Sequence, residues 1–129
     1  MMAAVNIRLL DDPESGPLNY AMAAEVAGPA RLLFISGQIP ETPDGFVPTS
    51  FSDQAHLAWQ NIERVLTTAD MSLQHLVKVT TFLCDRKYRD ENRRVREKVL
   101  GGHRPALTVI VAGIYEERWL LEIEAVAAM

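Results

Sequence analysis

The chain has 129 residues, of which 48% are hydrophobic and 23% charged, the size and composition of one globular domain spanning 1–129. Its formal net charge of −4 argues against nucleic acid as the main partner, because phosphate binding favours a basic surface. A single cysteine, Cys84, excludes an internal disulfide and indicates a reducing compartment. No signal-peptide pattern is visible, and no apolar run reaches the roughly 18 residues that a membrane helix needs, so we expect a cytoplasmic protein.

The first half of the chain predicts three strands and then a helix. The strands are expected at 5–10, 20–27 and 31–36, with a polar loop that contains glycine and proline at 14–19 and a turn at Gly28-Pro29. The segment 38–49 carries four prolines or glycines and is predicted to be a loop. Ser50 with Asp53 resembles a capping box, and apolar residues at helical spacing continue to Ala69.

The second half alternates strand and helix. The segment 77–83 is rich in β-branched residues and predicts a strand, and 87–100 predicts a helix whose inner face carries Tyr88, Val95 and Val99. The outer face of this helix is rich in arginine and is expected to face solvent, and Gly101-Gly102 ends the helix. Strands at 107–112 and 119–127 close the chain.

This order of elements predicts an α+β fold with two helices on one face of a mixed sheet. The strand at 107–112 is apolar on both faces, although two helices can cover only one. We therefore expect the chain to associate with other copies of itself.

Two strand ends predict a small-molecule pocket with few polar groups. Gly37 and Pro40 surround the end of the third strand, where a backbone can approach a ligand closely. Glu122 and Glu124 share one face of the last strand, where Glu122 is expected to be solvated or ion-paired. The three histidines lack ligand spacing, so no metal site is expected. Cys84 is expected to be a small buried hydrophobe.

Four segments together resemble the RidA family, also called YjgF or endoribonuclease L-PSP. They are SGQIP at 36–40, VKVTTFLCD at 77–85, the pair Pro105-Ala106 and EIEAVA at 122–127. The resemblance implies a chorismate-mutase-like fold with a six-stranded mixed sheet, and a homotrimer with a central barrel and ligand clefts between subunits. It also implies cofactor-free and metal-free hydrolysis of enamines or imines to keto acids and ammonia.

Site residues follow from the resemblance one at a time. Glu124 matches the glutamate that holds the attacking water, and Asn92 matches a helix asparagine that the pattern predicts to be buried with a partner. Gly37 matches a backbone contact, and Tyr20 matches a tyrosine beside the ligand. Val109 stands where many members have cysteine.

Leu107 occupies the position of the arginine that grips the substrate carboxylate in the family. Leucine has no donor, so the sequence predicts a substrate other than the usual imino acids, unless Arg104 or Arg31 replaces the missing guanidinium. The alternative is a metabolite-binding protein without turnover. A holdase-like or ribonuclease role is the third possibility, which the acidic charge and the lack of a nuclease constellation disfavour.

Overall fold

A computed structural model describes residues 5–14, 16, 18–28 and 30–129. Ser15 and Pro17 of the predicted loop and Pro29 of the predicted turn lie outside the described residues, as do residues 1–4 of the expected domain. The elements in chain order are β1 Asn6–Leu10, β2 Ala23–Ala27, β3 Leu32–Gln38, α1 Phe51–Thr68, β4 Leu76–Leu83, α2 Arg89–Leu100, β5 Ala106–Val111 and β6 Leu121–Ala128. All six predicted strands and both helices are therefore found.

The six strands form two ladders rather than one continuous sheet. The main sheet has the order β3-β6-β4-β5, in which only β4 and β5 run parallel, and β1 and β2 form a separate antiparallel pair. Just before β2, Ala21 forms an isolated bridge with Ala106 of β5, which connects the β1-β2 pair to the edge of the main sheet. The mixed sheet with two helices agrees with the predicted α+β fold.

Both helices cover one side of the main sheet, which we call the core face. The Ser50 hydroxyl caps α1 by accepting a hydrogen bond from the Asp53 amide at 3.1 Å. From α1, Ala55, Ala58, Ile62 and Leu66 are fully buried in the core, where this helix packs against β3 and β6. This packing fixes the positions of both helices on the sheet. It thereby determines which side chains of α2 lie near β5.

The opposite side of the sheet, which we call the open face, is uncovered and largely apolar. Phe34 is 74% exposed, Leu32 53% and Ile110 43%. Partly exposed Phe82 and Val126 lie between them, because Phe34 pairs with Val126 and Phe82 with Ile110. The uncovered apolar surface that the sequence predicts is thus present on β3 and β5. On the central strands it is interrupted by polar residues, since Val126 pairs with Lys78 and Phe82 with Glu122.

Candidate functional site

A cavity of about 490 Å³ lies between α2, the edge strand β5 and the segment that precedes β2. Its wall combines apolar and polar side chains: Leu18, Asn19, Tyr20, Leu83, Arg86, Arg89, Asn92, Arg93, Arg96, Leu107, Val109 and Val111. Four of the predicted site residues, Tyr20, Asn92, Leu107 and Val109, meet here. The volume is within the usual range for small-molecule sites.

The apolar wall of the cavity is the core face of β5. Leu107 pairs with Val79 and Val109 pairs with Thr81, so both point to the helix side of the sheet. Val109 and Val111 remain 40% and 47% exposed, because the helices do not extend over this part of β5. The edge of the sheet therefore presents a continuous apolar strip to whatever enters the cavity.

The polar wall comes from α2, where Asn92 and Arg96 lie four residues apart on one helix face. Their exposed fractions are only 3% and 5%. Within the described part of the chain, neither side chain has a hydrogen-bond or ion-pair partner. The partner expected for buried Asn92 is thus missing from the described residues. Among the described residues, the fully enclosed polar side-chain atoms without a partner are the indole nitrogens of Trp59 and Trp119. The polar ends of Asn92 and Arg96 are not enclosed in this way and open onto the cavity, where an external ligand or subunit can reach them.

Tyr20 is held at the cavity by contacts on either side of it. Asn19 donates to the Glu97 carboxylate at 2.7 Å, which ties the segment to α2. The Ala21 amide donates to the Pro105 carbonyl at 3.2 Å, which ties it to the start of β5. These contacts place the Tyr20 ring between the helix and the edge strand.

The two arginines considered as replacements for the family guanidinium have other partners. Arg104 donates to the Asp11 carboxylate at 3.0 and 3.3 Å and to the Leu18 carbonyl at 2.9 Å. Arg31 donates to the Ala69 carbonyl at 2.9 Å, beside the chain end at Met129. Neither residue lines the cavity, so neither supplies the guanidinium that the family has at the position of Leu107.

The cavity is positively charged although the protein as a whole is acidic. Arg86, Arg89, Arg93 and Arg96 line it, and no aspartate or glutamate is among its described lining residues. Burial lowers the pKa of the Arg96 guanidinium. The charge of Glu97 raises this pKa in part, the charge of Arg93 lowers it further, and Tyr20 raises it slightly. An arginine keeps its charge despite such a shift. The expectation that these arginines simply face solvent is wrong for Arg96.

The remaining predicted site residues, Gly37 and Glu124, lie at a bulge in the main sheet. Ile35 pairs with Ala125 and Gln38 with Ile123, so two residues of β3, Ser36 and Gly37, stand opposite the single residue Glu124. A Cβ on Gly37 would overlap the Glu122 carboxylate, whose Cδ atom would lie only 2.7 Å away. The glycine therefore makes room for Glu122.

Glu124 and the cavity lie on opposite faces of the sheet. Glu124 pairs with Thr80 and is exposed on the open face, whereas Leu107 and Val109 point to the core face. One chain therefore does not bring the predicted catalytic carboxylate to the predicted binding residues. What it contains is two partial sites: the cavity, and the open-face bulge with Gly37 and Glu124.

Other chemistry is sparse in the described part of the chain. No group of three histidine, cysteine, aspartate or glutamate side chains there could hold a metal ion. Burial, and to a lesser degree Asp85, raise the pKa of the half-buried Cys84 thiol, which makes it a weak nucleophile near neutral pH. No described helix is long and apolar enough to cross a membrane.

Arg96 is the cavity residue that sequence reasoning missed. The available signal was its spacing, because a residue four positions after Asn92 must share its helix face. Its neighbours Arg93 and Arg94 are exposed, so residue type alone could not separate it from them.

Comparisons with known proteins agree on one family. The sequence model of the family described as Endoribonuclease L-PSP matches residues 16–129. Protein HMF1 of Saccharomyces cerevisiae is 36% identical over 116 residues, which cover 89% of this chain and 90% of that protein. The Escherichia coli protein named "Putative reactive intermediate deaminase TdcF" is 29% identical over 100 residues, or 74% of this chain and 78% of that one.

Solved structures show the same fold. The structure of Escherichia coli TdcF with bound serine has a TM-score of 0.73 at 27% identity and covers 88% of this chain and 89% of that one. The Rid-family protein YyfB of Yersinia pestis has a TM-score of 0.85 at 20% identity, over 96% of this chain and 99% of that one. The family model that matches residues 16–129 and the 36% identity to HMF1 show that the chain belongs to the endoribonuclease L-PSP family, the RidA family that its motifs resemble.

Proposed function

We propose that the protein is a homotrimer whose clefts between subunits hydrolyse an enamine or imine, on a substrate other than the usual small imino acids. The observation that carries this proposal is the separation of the two partial sites onto opposite faces of the sheet. A neighbouring copy that covers the open face can bring its own Gly37 and Glu124 to the cavity of the first. The exposed apolar residues of the open face, Phe34 foremost, supply the driving force for this contact.

The reaction uses Glu124 to activate water. The carboxylate accepts a proton from water as the water oxygen bonds to the imine carbon, and the imine nitrogen takes up a proton. The resulting carbinolamine then loses ammonia, and the carbonyl forms, so that one imine and one water give one ketone and one ammonia. Tyr20 and Asn92 fit the task of orienting the substrate, since both have polar groups at the cavity.

Leu107 sets the substrate preference. Its side chain belongs to the apolar wall and donates no hydrogen bond, so a small polar imino acid gains little from this position. We expect poor turnover of 2-aminoacrylate and better turnover of imines with larger apolar side chains. The name of the relative TdcF, a reactive intermediate deaminase, supports the reaction class.

The test uses imines made in situ by an amino-acid oxidase, with semicarbazide competing for the imine before it is hydrolysed. The protein should suppress semicarbazone formation more strongly with the imine of leucine than with that of alanine. Glu124→Gln should abolish this effect, whereas Glu117→Gln, an equal charge change at an exposed residue, should not. Equal activity of Glu124→Gln and the wild type would overturn the mechanism.

Mixed trimers test whether each cleft takes residues from two chains. Asn92→Ala damages the cavity and Glu124→Gln damages the open-face bulge, so each variant alone has no intact cleft. If neighbouring chains share a cleft, random one-to-one mixing restores about one quarter of the clefts. No recovery in verified mixed trimers would show that the two partial sites do not meet.

The second candidate is a binding protein of the same fold without turnover. The observation in its favour is that Glu124 is exposed and far less constrained than the buried polar groups of the cavity. Calorimetric binding of a keto acid together with no imine hydrolysis would select this candidate.

A further inference from the structure

We infer that Arg96 is the anion-binding residue of the cavity, and that the cavity takes a monocarboxylate whose apolar body lies along β5. The inference rests on the proposed function only in treating this cavity as the ligand site. It assigns to a helix residue the carboxylate contact that Leu107 on the strand cannot make.

The burial of Arg96 is the first argument. A guanidinium carries five N–H donors and keeps its charge, so it is rarely buried without partners. Arg96 is 5% exposed and has no hydrogen-bond or ion-pair partner among the described residues. Its donors open onto the cavity and so can reach an anion that enters it, and a carboxylate has a geometry that fits a guanidinium fork.

The neighbours of Arg96 are the second argument. Asn92 lies one turn earlier on the same helix face, equally buried and equally without a partner in the described chain. Tyr20 lies close enough to influence the Arg96 charge. Together they offer a carboxylate or 2-keto group donors from more than one direction, which a solvated surface arginine does not.

The opposite wall determines the rest of the ligand. Leu107, Val109 and Val111 form an apolar strip across the cavity from the helix arginines, and none of the three side chains can bond a polar group. A ligand that satisfies both walls carries one charged end and one aliphatic or aromatic end. The remaining arginines at the cavity add a positive field that favours anions in general.

Calorimetry with a matched pair of probes tests the inference on the intact protein. The probes are 4-methyl-2-oxopentanoate and its uncharged amide, which differ little except in charge. The wild type should bind the acid more tightly than the amide. Arg96→Gln should weaken acid binding at least about thirtyfold and remove the preference over the amide. The control Arg94→Gln, the same charge change at an exposed residue two positions away, should alter binding by no more than about twofold.

Three outcomes would overturn the inference. The first is a wild type that binds neither probe, and the second is an Arg96→Gln variant that binds the acid as well as the wild type does. The third is that Arg96→Gln and Glu124→Gln both dissociate the oligomer in light scattering, which would make Arg96 the ion-pair partner of Glu124 in a neighbouring copy. Acid binding that depends on Arg96 without imine hydrolysis would instead refute the proposed enzyme activity and leave the anion site standing.

Discussion

Replacing Phe34 by serine is expected to dissociate the proposed trimer. Phe34 is 74% exposed on the open face of the described chain, and it pairs with Val126 on the neighbouring strand. A phenylalanine side chain can bury about 200 Å², so about 150 Å² of this ring is left for a partner to cover. At about 25 cal/mol per Å², full coverage is worth about 4 kcal/mol for each subunit.

Because each 1.4 kcal/mol is a factor of ten, half of that value still weakens association about thirtyfold per subunit. Analytical ultracentrifugation over a dilution series measures this directly. The matched control is Phe46→Ser, which removes a phenylalanine that is 63% exposed in the loop before α1, away from the sheet. We expect Phe34→Ser to shift toward monomer at concentrations where Phe46→Ser and the wild type remain trimers.

The reasoning is refuted if Phe34→Ser and the wild type sediment alike at every concentration, or if Phe46→Ser dissociates the oligomer equally. The first result would mean that the open face is not the interface. The second would mean that exposed apolar area alone, rather than its position on the sheet, determines association.

Three further predictions concern single positions. Leu107→Arg adds a cation to a cavity that is lined by arginines and by no described acidic residue. Urea unfolding should therefore show a free energy of unfolding lower by about 1–3 kcal/mol, and adding Arg96→Gln to the same chain should make this loss smaller. Cys84 should react with iodoacetamide more slowly at pH 7 than free cysteine, because its raised pKa lowers the thiolate fraction, and its rate should still climb above the pH where free cysteine levels off. Gly37→Ala should cost little stability, because the new Cβ meets only the end of the flexible Glu122 side chain, and Glu122→Ala should remove that small loss in a double-mutant cycle.

The order and type of the elements could be predicted because their signals are local. The apolar period of α1, the β-branched run of β4 and the glycines after α2 each act within a few residues. The pairing of strands depends instead on distant contacts. Nothing in the segments at 5–10 and 20–27 indicates that β1 and β2 pair with each other, apart from the main sheet.

The site residues also divide into those that the sequence predicts and those whose placement depends on distant contacts. Tyr20, Asn92, Leu107 and Val109, which the family resemblance singles out, line one cavity, and their roles there stay a prediction. For Arg96 the sequence carries one signal, its spacing of four residues from Asn92 on α2. Charged side chains in a polar helix are usually solvated, so that spacing alone does not show that Arg96 is enclosed, which depends on distant parts of the fold.

The opposite charges of Arg96 and Glu124 lead to a last prediction. In the proposed cleft, an anionic ligand is attracted by Arg96 and repelled by the Glu124 carboxylate of the neighbouring chain. Removing the negative charge with Glu124→Gln should therefore tighten keto-acid binding while it abolishes imine hydrolysis, and the gain should shrink at high salt. Arg96→Gln should weaken binding and lower turnover together. Binding of 4-methyl-2-oxopentanoate that is unchanged in Glu124→Gln at low salt would show that the carboxylate and the cavity do not share a ligand, and the cleft between subunits would lose its catalytic half.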